Sequence, residues 1–177
     1  MKQQVAGMTF IEVFVALFIL ASGILGAVAM QTAAKKGSFD AMQRSIASSL
    51  AQDILERIRS NSADNATLVL YEGTFGAAAR AVPANRCNTA GANCSAAQMA
   101  TNDLYEWTEL LRGGDAKIAG VNAGGLVGAI GCVDITGQQV AVVISWEGRT
   151  ETADGGSGDC GTKDKSRRQL SMTTFVF

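Results

Sequence analysis

The chain opens on a short polar stretch, MKQQVAG, and then turns apolar from Met8 to Met30, where Glu12 is the only charged residue. At a helical rise of about 1.5 Å per residue, such a run can cross the roughly 30 Å hydrocarbon core of a bilayer. Beyond Met30 the pattern becomes amphipathic. Phe39, Met42, Ile46, Leu50, Ile54 and Ile58 recur at three- and four-residue spacing, with Arg44, Asp53, Glu56, Arg57 and Arg59 mostly on other faces. The single proline is Pro83, so one helix can run from Met8 to the polar cluster at Ser60-Asn61, about 80 Å in all. Gly23, Gly26 and Gly37-Ser38 weaken it locally.

Later positions predict a second helix and a sheet. Ser95 with Gln98 forms a capping-box pattern that opens a helix, and Met99, Leu104, Trp107, Leu110 and Leu111 lie at helical spacing as its core stripe. Asp103 on that helix reads as a surface charge or a structural hydrogen-bond acceptor. After Gly113-Gly114 the period changes. Residues 127–134 and 138–147 are apolar and β-branched, with a turn at Thr136-Gly137. Residues 169–177 alternate, with Leu170, Met172, Thr174 and Val176 on one face, and 117–121 are read as a fourth strand. Residues 154–161 are glycine-rich and read as a loop. The fold class is α+β: a long N-terminal helix packed on a small antiparallel β-sheet, with residues 63–112 inserted between them.

Composition narrows the chemistry. The chain of 177 residues has a formal net charge of −1, which gives no electrostatic reason to expect a nucleic-acid partner. Lys35-Lys36 and the cluster from Lys163 to Arg168 read as solvated edges. There is no histidine, so the commonest general base and metal ligand are missing, and no serine or cysteine nucleophile can be paired with one. The glycine run at 124–131 lacks a P-loop lysine and is better explained by turns and strand packing. Neither an enzyme nor a cofactor is expected. The four cysteines, Cys87, Cys94, Cys132 and Cys160, all follow the apolar segment and read as a disulfide framework in an exported domain. Without a C-x-x-C pair or a histidine, a zinc site is not expected. Sequence alone does not choose among the three pairings. One reading staples Cys87 to Cys94 just before the second helix and pins Cys160, in its loop, to Cys132 on a strand. Closing a loop of the size between Cys132 and Cys160 contributes about 3–4 kcal/mol.

Glu12 decides how the N-terminal segment is read. As a secretory signal peptide, the apolar run is too long, the carboxylate is misplaced and no A-x-A site follows. As a plain anchor, it leaves unexplained a carboxylate whose mid-bilayer cost is about 2.5–3.5 kcal/mol, unless the side chain snorkels to the interface. The string G-M-T-F-I-E-V, Gly7 to Val13, resembles the processing site of type IV prepilins. That resemblance implies cleavage after Gly7 by a prepilin peptidase, methylation of the new N-terminal amine on Met8, and Glu12 as the fifth mature residue. Glu12 would then meet the N-terminal ammonium of a neighbouring subunit and set the axial register, since a carboxylate in an apolar bundle needs an opposite charge close by. Met8 departs from the phenylalanine usual at the first mature position. Glycine before the cut is the stricter requirement, because it lets the backbone enter a tight site.

Three later stretches narrow the resemblance to PilV-like minor pilins: residues 44–61, the sequence C-S-A-A-Q-M-A-T-N-D-L-Y-E-W from Cys94 to Trp107, and A-V-V-I-S-W from Ala141 to Trp146. The resemblance implies a type IV pilin-like fold. Its parts would be a leader (1–7), a transmembrane and assembly half of the helix (8–30), an amphipathic half (31–61) and a periplasmic globular domain (62–177). It implies a minor pilin, single-pass in the inner membrane before assembly and in the pilus, or fimbrium, afterwards. Its partners would be other minor pilins, the major pilin, prepilin peptidase and the inner-membrane assembly platform. Its roles would be priming of pilus assembly near the tip, with adhesion, surface sensing or twitching motility following from that position. The charge rule does not fix topology, because Lys2 and Lys35-Lys36 flank opposite sides of the apolar run. Two alternatives remain: a minor pseudopilin of a type II secretion system, and a single-span periplasmic binding module that would keep residues 1–7 and not need Glu12.

Overall fold

The computed structural model describes residues 7–62, 64–89, 91–114, 116–151 and 160–176. Leader residues 1–6, most of the glycine-rich stretch at 154–161 and Phe177 lie outside the described residues. Among the described residues, three α-helices and six strands are defined in chain order: α1 (Phe10–Asn61), α2 (Asn65–Leu68), β1 (Gly73–Phe75), α3 (Ala96–Arg112), β2 (Lys117–Ile118), β3 (Val121–Asn122), β4 (Ile130–Thr136), β5 (Gln139–Glu147) and β6 (Arg167–Phe175). A single 3₁₀ turn, Val69–Tyr71, links α2 to β1. The chain divides into two compact units, the first ending at Phe39 and the second comprising Asp40–Phe177.

In the first unit α1 continues through Gly23, Gly26 and Gly37, and a Cβ added at any of the three would meet nothing within 4 Å. The side chains of Phe10, Phe14, Phe18, Leu20 and Leu25 are all exposed. Ser22 and Thr32 donate their hydroxyls to the carbonyls of Ile19 and Val28, so these polar residues are satisfied within the helix itself.

In the second unit, the buried face of α1 is Gln43, Ala47, Leu50, Ala51, Ile54, Leu55 and Ile58. The stripe expected from the sequence is therefore shifted. Met42 is exposed, and Ala47 and Ala51 are fully buried. Gln43 sits on the buried face because its amide bridges a loop: Oε1 accepts from the Val127 amide at 3.2 Å and Nε2 donates to the Gly125 carbonyl at 3.5 Å. The helix closes where Ser60 and Ser62 turn their hydroxyls back onto the carbonyls of Arg57 and Ile58.

Helix α3 is bounded at both ends by its sequence. Ser95 Oγ accepts from the Gln98 amide (3.3 Å), and Gln98 Oε1 accepts from the Ser95 amide (2.9 Å). At the other end Gly113 adopts φ +70°, and the Gly114 amide donates to the Glu109 carbonyl at 2.7 Å. A side chain at Gly113 would run into the backbone of Gly124. The buried face of α3 includes Ala100, Leu104, Trp107 and Leu111, while Leu110 is half-buried beside the core.

The main sheet is antiparallel in the order β1-β4-β5-β6. The β4–β5 hairpin turns at Gly137, with φ +62°. Along β5, Val140, Val142, Ile144 and Trp146 are buried and join the core formed with α1 and α3. Trp107 ties these layers together. Its indole N–H donates to the Leu50 carbonyl at 2.9 Å, its ring meets Phe75 edge-on at 5.7 Å, and it lies over Gly131. The segment 117–121 does not join this sheet. It forms a separate ribbon, β2 with β3, whose residues are exposed, and the fourth strand of the main sheet is β1. The ribbon turns at Ala119 and Gly120, both with positive φ, which takes the chain away from the core.

Candidate assembly site

Gly7 and Met8 precede the first helical residue and are exposed. A Cβ built on Gly7 meets nothing within 4 Å among the described residues. Glu12 lies in the first turn of α1 and is also exposed. Its Oε2 accepts long bonds from the Thr9 amide (3.4 Å) and hydroxyl (3.5 Å). This is half of a capping box, and it uses little of what an ionised carboxylate can accept. The helix that follows contains one stretch long and apolar enough to cross a membrane, by length and composition, with none of it buried.

Both disulfides lie in the second unit. Cys87 pairs with Cys94, and Cys132 on β4 pairs with Cys160. The first closes the loop leading into α3. The second holds the segment before β6 against the sheet.

A polar cluster ties α1 to α3 and to that first loop. Arg57 donates from Nε to Asp53 (3.0 Å) and from Nη1 to Asp103 (3.1 Å) and Glu106 (2.9 Å). Arg86, next to the Cys87 bridge, donates to Glu106 (3.1 Å) and Asn102 (2.9 Å), and its guanidinium lies over the Tyr105 ring at 4.9 Å. The Tyr71 hydroxyl donates to Asp103 at 2.6 Å and accepts from Asn61 at 2.9 Å. Asp103 is thus a buried structural acceptor, the second of the two roles its position allowed. Burial acts to lower the pKa of Arg57, but the carboxylates of Glu106, Asp53 and Asp103 outweigh it and hold the pKa above its ordinary value. Burial likewise acts to raise Glu106, and hydrogen bonds from Arg57, Asn102 and Arg86 hold it below the usual carboxylate range. Burial, with the Asp103 carboxylate, pushes the Tyr71 phenol up.

The basic cluster from Lys163 to Arg168 is not simply a solvated edge. Arg167 is buried and donates from Nε and Nη2 to Ser145 Oγ at 3.0 and 2.7 Å. Arg168 donates to Asp40 at 3.1 Å, and Asp40 also accepts from the Arg149 amide at 2.8 Å and from the Thr150 hydroxyl. Burial of Asp40 opposes ionisation, but these donors together hold its carboxyl below the ordinary value. Among the described residues no group of histidine, cysteine or carboxylate side chains could hold a metal ion.

Comparison with known proteins agrees with this architecture. A family model described as Tt1218-like, type IV pilin Tt1218, matches residues 29–105. That span takes in the amphipathic half of α1, the Cys87–Cys94 loop and the first part of α3, so it covers most of the polar cluster. Searches of the curated proteins and of the solved structures return no match. The long apolar-to-amphipathic helix, the small antiparallel sheet and the two disulfides are consistent with a type IV pilin fold, and this match over residues 29–105 supports a type IV pilin, a structural protein.

Proposed function

We propose that this chain is a type IV pilin made as a prepilin, cut between Gly7 and Met8 by prepilin peptidase and methylated on the Met8 amine. The observation that carries the reading is the spacing of Gly7, Met8 and Glu12 at the head of an apolar helix whose side chains are exposed. Gly7 meets no described neighbour that excludes a side chain, and glycine there suits an enzyme that must admit the backbone closely. Glu12, exposed and held only loosely by Thr9, keeps acceptor capacity for the N-terminal ammonium of a neighbouring subunit. That pair would be formed in an apolar helix bundle, where an unpaired carboxylate is costly.

In this reading residues 8–30 anchor the chain once in the inner membrane and later pack among other helices. Residues 31–61 link that anchor to a periplasmic domain, residues 62–177. The chain acts as a PilV-like minor pilin. It joins other minor pilins on the inner-membrane assembly platform, primes assembly of the major pilin and stays near the pilus tip, where adhesion or surface sensing would follow. The disulfides support an exported domain.

Intact-mass measurement of the protein from cells with and without active prepilin peptidase tests the first step. Loss of residues 1–7 with one added methyl, only where the peptidase is active, is the expected result. An N-terminus unchanged in both strains would refute processing and leave a simple membrane anchor.

A further inference from the structure

A cavity of about 360 Å³ in the second unit is lined by two arginines, Arg112 at the end of α3 and Arg167 at the start of β6, with Asn122 and Thr162 beside them. Neither guanidinium makes an ion pair among the described residues. Arg112 Nη1 is buried and has no hydrogen-bond partner. Arg167 is 6 % exposed, and its side chain donates only to the neutral hydroxyl of Ser145. Elsewhere in this unit the arginines that reach the interior meet carboxylates, as Arg57 and Arg168 do. Here one buried donor, Arg112 Nη1, is left without an acceptor among the described residues, and Arg167 has only a neutral one; an unmet buried donor is costly unless something fills the place.

The wall of the cavity is shaped for this arrangement. Gly161, at φ +84°, has no side chain, and a Cβ there would collide with the Arg167 guanidinium and come within 2.6 Å of Ser145 Oγ. The Cys132–Cys160 bridge fixes the residue just before it. Among the described residues no carboxylate lines the cavity. Two described carboxylates lie near Arg167. Asp164 is taken up by the amides of Ser166 and Arg167 and the Ser166 hydroxyl. Glu147, the cross-strand neighbour of Arg167, is exposed and stays outside ion-pair distance of it.

We propose that this cavity binds a carboxylate, supplied either by a free small dicarboxylate or by an acidic side chain of another protein chain. A guanidinium fork matches a carboxylate in two parallel hydrogen bonds, and the volume admits a ligand of a few heavy atoms. The site does not depend on how the pilin is processed or assembled.

The test is thermal melting of the full chain in nonionic detergent with two probes, sodium malonate and a blocked tripeptide carrying one central aspartate. Sodium chloride at equal ionic strength is the reference. A saturable rise in Tm with either probe, abolished in Arg112→Gln and largely lost in Arg112→Lys, is expected, and the probe with the stronger response names the source. Nitrogen-15 resonances of the arginine side chains read the same binding without any substitution. No rise beyond the chloride reference, a response that persists in Arg112→Gln, or arginine resonances unmoved by both probes would overturn the proposal and leave a water molecule as the occupant.

Discussion

Replacing Arg57 by methionine tests whether the α1–α3 polar cluster holds the second unit together. The change keeps much of the side chain's length and apolar contact and removes only the charge and its donors. It leaves Asp53, Asp103 and Glu106 facing one another without the cation they share. Removing one partner of a buried pair costs about 3–5 kcal/mol. The arginine side chain here is 25 % exposed, as is Glu106, while Asp103 is only 8 % exposed. Water can therefore re-solvate part of the cluster, and Asp103 keeps the Tyr71 hydroxyl. The expected loss is reduced to about 2–3 kcal/mol. Urea unfolding of the full chain in nonionic detergent, followed by fluorescence of the buried Trp107 and Trp146, gives the number. A double-mutant cycle with Asp103→Asn should return a coupling of about 1–2 kcal/mol. The pH dependence adds a second reading. Glu106 is held below its ordinary value in the folded state, so its contribution is present above about pH 4.3 and is lost as pH falls through the depressed value. Arg57→Met should flatten that acid loss. A variant within 0.5 kcal/mol of the parent, with unchanged acid sensitivity, would refute the reasoning and reduce the cluster to ordinary surface ion pairs.

Three further outcomes follow from the same contacts. Gly131→Ala places a Cβ against the Trp107 indole and within 3.0 Å of Leu111; overpacking of this kind should cost about 1–3 kcal/mol, and an unchanged Tm would contradict the close approach. Replacing Cys132 and Cys160 by alanine opens a loop of separation 28, against 7 for Cys87 and Cys94, so the losses should be about 3.6 and about 2.4 kcal/mol from chain entropy; equal losses in urea unfolding would count against that mechanism. Glu12→Ala should leave the protein in the membrane fraction but lower its incorporation into fibres, and normal incorporation would sink the proposed pairing with a neighbour's ammonium.

Much of the fold was legible because several signals are local. The capping box at Ser95 and Gln98, the glycine stop at Gly113 and the turn at Gly137 each act over a few residues, so sequence spacing suffices. The end of α1 at Asn61 was marked by the polar cluster there. β1 gave no such signal. It is three residues long, includes Gly73 at φ +147°, and exists through its pairing with β4. Periodicity misplaced Met42 and passed over Gln43, because the helical period locates a face only to within about one residue. Loop 125–127 decided which residue the face would bury.

The sequence by itself determined the apolar helix with its single carboxylate, the glycine seven residues in, the amphipathic continuation and the cysteines. These are properties of composition and spacing, and they carried the family resemblance before any coordinates. The tertiary structure alone decided which cysteines pair, that Asp103 is an interior acceptor, that Arg167 and Arg168 leave the solvated edge for Ser145 and Asp40, and that Arg112 Nη1 is buried without a hydrogen-bond partner among the described residues. The reason is the range of the interactions. A helix period or a cap is written within one turn of chain. The partner of a charge is set by which distant segment the folded backbone brings within about 3 Å, and no spacing in the sequence records that.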